Sequence, residues 1–400
     1  MDTSKFVASQ MGELSPISGT DPTSGPWEHF AFIAAPLPDT SPDLTGKTYM
    51  RIADARAAIA ELNGLASRLP NPEILRHPTL RREAQSTSAL EGTYAPLSEV
   101  LTATEEESKS GDMREILNYV RMANNAFSEL EEGRTVTVGF LESLQWQLVD
   151  GTPAAARSKG QVRDHHVVIG RRSDAVATDP PVMQARFVPH PHGDALRHAL
   201  ADLLAWMNED HSDDMDPIVA AALAHYQFES LHPFHDGNGR IGRLLIVIQL
   251  LTSGLLREPT LTVSPWFEAR RSAYYDTLFD VSSQGGWDAF VHFFATGIQA
   301  SARSTLKELS TLVDAQEEMK SIIRASPLRA DKALQLVDFA VANTVFSVRQ
   351  VQHGLEVSYG RANTLVSQLC DLGILAELTT RSAERRFHSP AVLAVLLSAE

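Results

Sequence analysis

The residues best suited to chemistry lie together in His232-Pro233-Phe234-His235-Asp236-Gly237-Asn238-Gly239-Arg240-Ile241-Gly242-Arg243. The stretch sits between two apolar runs, Ile218–Phe228 and Ile241–Leu251, both long enough to be buried helices. A glycine-rich turn that opens a helix points backbone N–H groups outward, and with the helix dipole it makes an anion site. Gly237 and Gly239 carry no Cβ, so the backbone there can approach a phosphate closely. Arg240 and Arg243 recur at helical spacing and are expected on one face of the first turn, where a guanidinium forks onto phosphate oxygens. Asp236 is placed to hold Mg²⁺, which takes one or two carboxylates together with substrate phosphates. His232 supplies a proton acceptor that works near neutrality. The chemistry implied is that of a nucleotide-phosphate site with a base beside it.

Other uses of these residues are weaker. His232, His235 and Asp236 have no further ligand at zinc-protease spacing, and neither HExxH nor a GxxxxGK[ST] phosphate loop occurs in the chain. A plain helix-start turn does not require both arginines and both glycines.

The stretch also resembles the motif of the Fic family, HPFx[D/E]GNGRxxR, at every specified position. That resemblance implies a mainly α fold with a β-hairpin flap. It also implies transfer of AMP from Mg-ATP to a Ser, Thr or Tyr hydroxyl of a protein, with release of pyrophosphate. In its terms His232 is the catalytic base and Asp236 the metal ligand. Gly237, Asn238, Gly239, Arg240 and Arg243 bind the ATP phosphates, with Asn238 and the neighbouring N–H groups stabilising charge on the α-phosphate. Thr87-Ser88-Ala89-Leu90-Glu91-Gly92 is similar to the family's inhibitory motif, [S/T]xxxE[G/N]. A carboxylate there mimics a phosphate for a guanidinium fork, so Glu91, supported by Thr87, is expected to reach Arg243 and displace the γ-phosphate. Tyr274 and Tyr275 match the position of an adenine-binding tyrosine pair, with at least one of them expected to serve. Removal of AMP and other phosphoryl-type transfers on the same scaffold remain alternatives.

The rest of the chain must position these groups. Its 400 residues leave room for two or three domains, and 43% hydrophobic with 21% charged residues is ordinary for a soluble globular protein. A net charge of −15 argues against a chain that coats nucleic acid, a single cysteine excludes an internal disulfide, and no apolar run reaches membrane-spanning length. A cytoplasmic protein is expected, with no membrane partner. Residues 1–26 read as a flexible polar arm. Residues 27–130 read as a helical region holding one helix over Lys47–Leu69 and the inhibitory helix over Arg81–Gly92. By spacing alone Glu83, Thr87 and Glu91 share one face, which reads most simply as solvated. Residues 131–300 form the catalytic core. Within it 160–191 carry short β-like runs, a hairpin that by resemblance holds the target protein through strand addition. His165, His166, His190 and His192 in or beside it read as solvated loop residues.

Residues 301–327 predict a linking helix, and 328–400 a pattern of helices and short strands resembling a winged helix-turn-helix. Its second helix offers Arg361, Asn363, Thr364 and Ser367 to a partner. The domain's charges nearly balance, so protein packing is favoured over DNA binding. A nucleotide-sensing regulator using that domain, and an interaction protein with a relic site, are the remaining alternatives. Self-modification and a homodimer are left open.

Overall fold

The computed structural model describes residues 1–67, 76–103, 111–156, 160–328, 331–378 and 385–398. In chain order the elements are β1 (Gly12–Asp21), β2 (Gly25–Ala34), α1 (Gly46–Ala66), α2 (Arg76–Leu90), α3 (Leu97–Thr102), α4 (Gly111–Glu131) and α5 (Val138–Val149). Then follow β3 (Ile169–Arg171), α6 (Pro181–Gln184), β4 (Ala185–Phe187), α7 (Asp194–Asn208), α8 (Pro217–Leu231), α9 (Asn238–Thr252), α10 (Ser264–Glu268), α11 (Arg271–Gln284) and α12 (Trp287–Ala325). The last are α13 (Asp331–Ala342), β5 (Phe346–Ser347), α14 (Val348–Gly354), α15 (Tyr359–Asp371), β6 (Ala376–Leu378), β7 (Arg386–His388) and α16 (Pro390–Ser398). The fold is mainly helical, as expected. No described helix is long and apolar enough to cross a membrane.

Two compact units result, each assembled from separated stretches: 1–57, 121–257 and 266–299 in the first, 58–120, 258–265 and 300–400 in the second. The consecutive blocks expected from sequence do not follow this division. Of their boundaries, the one at 300/301 comes within a residue of the division at 299/300, and both fall inside α12, where the apolar spacing runs through without a breaker. The expected end of the first helix at Leu69 lies outside the described residues.

In the first unit, α8 and α9 form the centre. Nearly every residue of each is buried, so both pack on all sides rather than along one stripe. Asp216 caps α8 by accepting from the Ile218 N–H, with Pro217 in the first turn, where its missing N–H costs nothing. Gly242 lets the two helices close on each other, since a Cβ there would lie 2.4 Å from Glu229 Oε1 and 3.1 Å from the Phe228 ring.

The flexible arm expected over residues 1–26 is corrected. β1 and β2 pair antiparallel in continuous register from Gly12↔Ala34 to Asp21↔Gly25. The polar composition suggested disorder, but Phe6, Ile17, Ala31 and Phe32 are buried against Val182, Phe187 and Val188 in one apolar cluster. The Phe32 N–H donates to the Val188 carbonyl at 2.9 Å, so β2 backs the strand that carries the flap.

In the second unit, α2 is buried along most of its length. The Glu83 carboxylate, 3% exposed, accepts from the Ser264 N–H at 3.0 Å and the Ser264 hydroxyl at 2.5 Å. Arg82 donates to the Leu396 carbonyl at 3.3 Å and faces Glu308 at 3.6 Å. Burial raises the Glu308 carboxyl, an effect the Arg82 charge opposes. The solvated face expected for Glu83 and Thr87 is therefore a packed one, and only Glu91 is exposed. Later in this unit the strands pair in the order β5-β7-β6, all antiparallel, beside α13, α14 and α15.

Candidate active site

His232 caps the C-terminus of α8 in the left-handed conformation, at φ 49° and ψ 59°. A side chain other than glycine held there costs about 1–2 kcal/mol, so the surroundings must impose it. The turn then runs to Gly237, at φ 87°, which caps α9. Only glycine fits: a Cβ would meet Leu148 Cδ2 at 2.7 Å as well as the unfavourable backbone angle. The first N–H groups of α9 follow directly at Gly237–Arg240, a helix N-terminus of the kind that favours an anion.

Side chains refine the expected roles. The Asn238 amide braces the turn instead of facing the cradle: its Oδ1 accepts from the Phe234 N–H and its Nδ2 donates to the Phe234 carbonyl, both at 2.8 Å. A carboxamide matches both groups of one peptide, which is why it serves here. Arg240 and Arg243 are 1% and 0% exposed, buried as long cations seldom are. Arg240 donates to Asp236 Oδ1 at 3.0 Å, with the Asp236 side chain 43% open. A single hard, open carboxylate beside a phosphate cradle fits a Mg²⁺ ligand set completed by phosphate oxygens. No cluster of three or more His, Cys, Asp or Glu suited to a metal occurs among the described residues.

The tyrosine pair splits. Tyr274 is 1% exposed, stacked on Phe267 at 5.0 Å, and its hydroxyl meets His225 Nε2 at 2.7 Å. It is a core residue with no face open to a base. Tyr275 is half-buried beside it, with the Arg271 guanidinium 5.9 Å from its ring centre. Thr87 is fully buried inside α2, and Glu91 follows the helix in a turn closed by Gly92 at φ 93°. Burial and the Arg243 charge push the His225 imidazole down to about 3, so it stays neutral.

Several contributors were not legible in the spacing. Glu229 Oε2 lies 3.9 Å from His232 Nδ1. Gln145, fully buried on α5, donates to the Asp236 carbonyl at 3.2 Å and accepts from the Gly160 N–H at 2.9 Å. Arg163 donates into the carbonyls that end α8. The histidines expected in solvent are engaged. His165 Nε2 is 2.7 Å from His235 Nδ1, the His166 and His192 rings pack edge to face at 4.5 Å, and His190 is 4% exposed.

The flap is present as β3 pairing antiparallel with β4, each strand three residues long, in keeping with the short runs expected. Beside it a cleft of about 1010 Å³ is lined by Lys5, Arg171, Arg172, Arg186, Asp276 and Phe279 among others.

Residues 49–128 match the Fic/DOC family N-terminal profile and residues 135–250 the Fic/DOC family profile. The chain carries a Fic domain. A Fic family protein from Desulfovibrio desulfuricans G20 shares the fold at a TM-score of 0.55 and 20% identity, covering 88% of this chain and 98% of that one. Protein adenylyltransferase fic-1 from Caenorhabditis briggsae is 36% identical over 112 residues, 28% of this chain and 21% of that protein. Protein adenylyltransferase Fic from Drosophila ananassae is 40% identical over 90 residues, 22% of this chain and 17% of that protein. The Fic-domain chain thus spans about a fifth of the length of these curated relatives.

Proposed function

We propose that the protein is a self-inhibited protein adenylyltransferase that moves AMP from ATP to a Ser, Thr or Tyr hydroxyl. The observation that carries this is the turn itself: a proton-accepting imidazole at the end of α8 beside a glycine-capped helix N-terminus with two buried arginines. The names of the relatives support the same reaction.

His232 takes the proton as the target's hydroxyl oxygen bonds to the α-phosphorus. The bond from that phosphorus to the bridging oxygen of the β-phosphate breaks, and pyrophosphate leaves. The N–H groups of Gly237–Arg240 face the charge that develops on the α-phosphate. Arg240 and Arg243 bind the β- and γ-phosphates. Asp236 would hold Mg²⁺, which when bound neutralises phosphate charge. Asn238 holds the turn rather than the substrate. Tyr275, not Tyr274, is the side chain available to the adenine. The target segment adds to the flap at β3, the more exposed strand of a sheet that has two strands among the described residues. Glu91 restrains the reaction by occupying the γ-phosphate position on Arg243. Residues 328–400 act as a winged helix, a reading supported by the β5-β7-β6 sheet beside α14 and α15, and their nearly balanced charge favours a protein partner over DNA.

The test supplies α- or γ-labelled ATP with magnesium to wild type, Glu91→Gly and Glu91→Gly/His232→Ala, alone and in lysate. Label from the α position only, strongest in the single variant and absent in the double, is the expected result. Label from γ alone would mean a kinase, and none from either would redirect attention to AMP removal.

A further inference from the structure

We propose that Arg163 is a positioning residue of the active site: its guanidinium fixes the backbone of His232 and thereby the direction of the imidazole. The inference rests on the adenylyltransferase reading for its kinetic readout but not for its geometry.

Arg163 is 4% exposed and reaches across the first unit to the end of α8. Its Nε donates to the His232 carbonyl at 2.8 Å, its Nη2 to the Leu231 carbonyl at 3.3 Å and closely to the His190 carbonyl, and its Nη1 to the His165 carbonyl at 3.0 Å. Its own N–H donates to the Pro233 carbonyl at 2.9 Å. Leu231 and His232 sit where a helix leaves carbonyls without intrahelical partners, and where the helix dipole favours a cation. A planar five-donor fork can serve them together, which an ammonium cannot. Burial lowers the guanidinium to about 10, and it forms no ion pair with a carboxylate among the described residues. A buried charge spent wholly on carbonyls is costly unless the conformation they adopt matters.

That conformation is unusual. His232 and Glu356 are the non-glycine residues with positive φ among those described, and His232 is the one at the reacting centre. Arg163 holds the peptides on both sides of it. Two residues on, His165 meets His235 at 2.7 Å, so the same segment grips the turn at a second point. Releasing the first grip lets His232 relax toward ordinary backbone angles, which turns its side chain away. The ATP cradle at Gly237–Arg240 is held separately, by Asn238 on Phe234 and by Gln145 on Asp236. Loss of Arg163 should therefore separate chemistry from nucleotide binding.

The experiment uses the full chain carrying Glu91→Gly, with Arg163→Gln and Arg163→Lys added singly. Folding is checked by circular dichroism, and the His232 ring is titrated by NMR after assignment against His232→Ala. We expect Arg163→Gln to lower kcat about 100-fold, as a misplaced reacting group does, with KM for ATP within about threefold. The titration of His232 shifts, and Arg163→Lys restores about tenfold of the loss. Should Arg163→Gln fail to fold, Arg163→Lys carries the test, with a kcat loss at steady KM and a shifted titration. A folded variant with unchanged kcat and unchanged titration overturns the proposal. So does a parallel fall in kcat and ATP affinity. If the Glu91→Gly parent itself labels nothing, the adenylyltransferase reading fails, and the His232 titration alone decides the role of Arg163.

Discussion

Two helix ends carry the chemistry assigned to this chain, and they are built differently. At the end of α8, His232 is held in a left-handed conformation, with Arg163 on its carbonyl and Asn238 bracing the following turn. At the end of α2, Glu91 stands in an exposed turn beyond the last helical residue, while Glu83 and Thr87 further up the same helix are buried. A reacting group has to be in place before substrate arrives, so its surroundings over-determine it. The group proposed to inhibit stands, by contrast, in an exposed turn that follows a packed helix. The contrast yields expectations that differ in kind at the two ends.

The largest effect belongs to the fixed end. His232→Ala should lower AMP transfer by about 10³-fold, the scale of a lost general base, while ATP still binds. Measurement by α-labelled transfer alongside calorimetric ATP binding checks both halves. A variant that loses binding as well would make His232 part of the cradle rather than the base.

The anchoring of α2 comes next. Glu83→Ala strands the Ser264 N–H and hydroxyl in a buried place, which should cost about 1–3 kcal/mol of stability in urea unfolding. It should also raise basal transfer, because a loosened helix holds Glu91 less well. Stability falling without any rise in activity would mean that α2 is simply core.

A pH effect separates the first unit's interior from its surface. His225 stays neutral when folded, lowered to about 3, whereas an unfolded histidine titrates near 6.5. The unfolded chain therefore binds more protons below that value, and stability is full above about 6.5 and lost as pH falls toward 3. At pH 5 the loss is about 2 kcal/mol relative to pH 8. His225→Gln should flatten that part of the profile. An unchanged slope would assign the acid sensitivity elsewhere.

The unequal construction of the two ends also explains what could be read from sequence. The motif turn was legible because its parts are neighbours, and glycine, arginine and histidine at that spacing have few other uses. The mainly helical fold followed from apolar periodicity. Arg163 escaped because its acceptors are backbone carbonyls, those at the end of α8 lying 68 and 69 positions away, and a carbonyl leaves no mark in a sequence. Glu83 and Thr87 looked solvated since spacing shows that residues share a face but not what covers it. Asn238 and Tyr274 were assigned to substrate by their place in a motif, whereas their own hydrogen bonds turn one to the Phe234 peptide and the other to His225. The hairpin of β1 and β2 was masked by polar composition, its buried residues being few along β1 and gathered toward the end of β2.

The smallest expected change tests the end of α2 directly. Glu91→Gly removes the carboxylate and should raise transfer about tenfold, equivalent to about 1.4 kcal/mol of lost restraint. Because Glu91 lies beyond α2 and is exposed, the substitution should leave the unfolding midpoint within about 0.5 kcal/mol of wild type, as surface changes usually do. Glu91→Gln keeps the shape and removes the charge. If the carboxylate works by mimicking a phosphate on a guanidinium, the glutamine should activate nearly as well as the glycine. If instead the side chain blocks the site by bulk, glutamine should inhibit as glutamate does. Activity unchanged in both would remove restraint from the end of α2 altogether, and the difference between the two helix ends would then be one of packing, not of purpose.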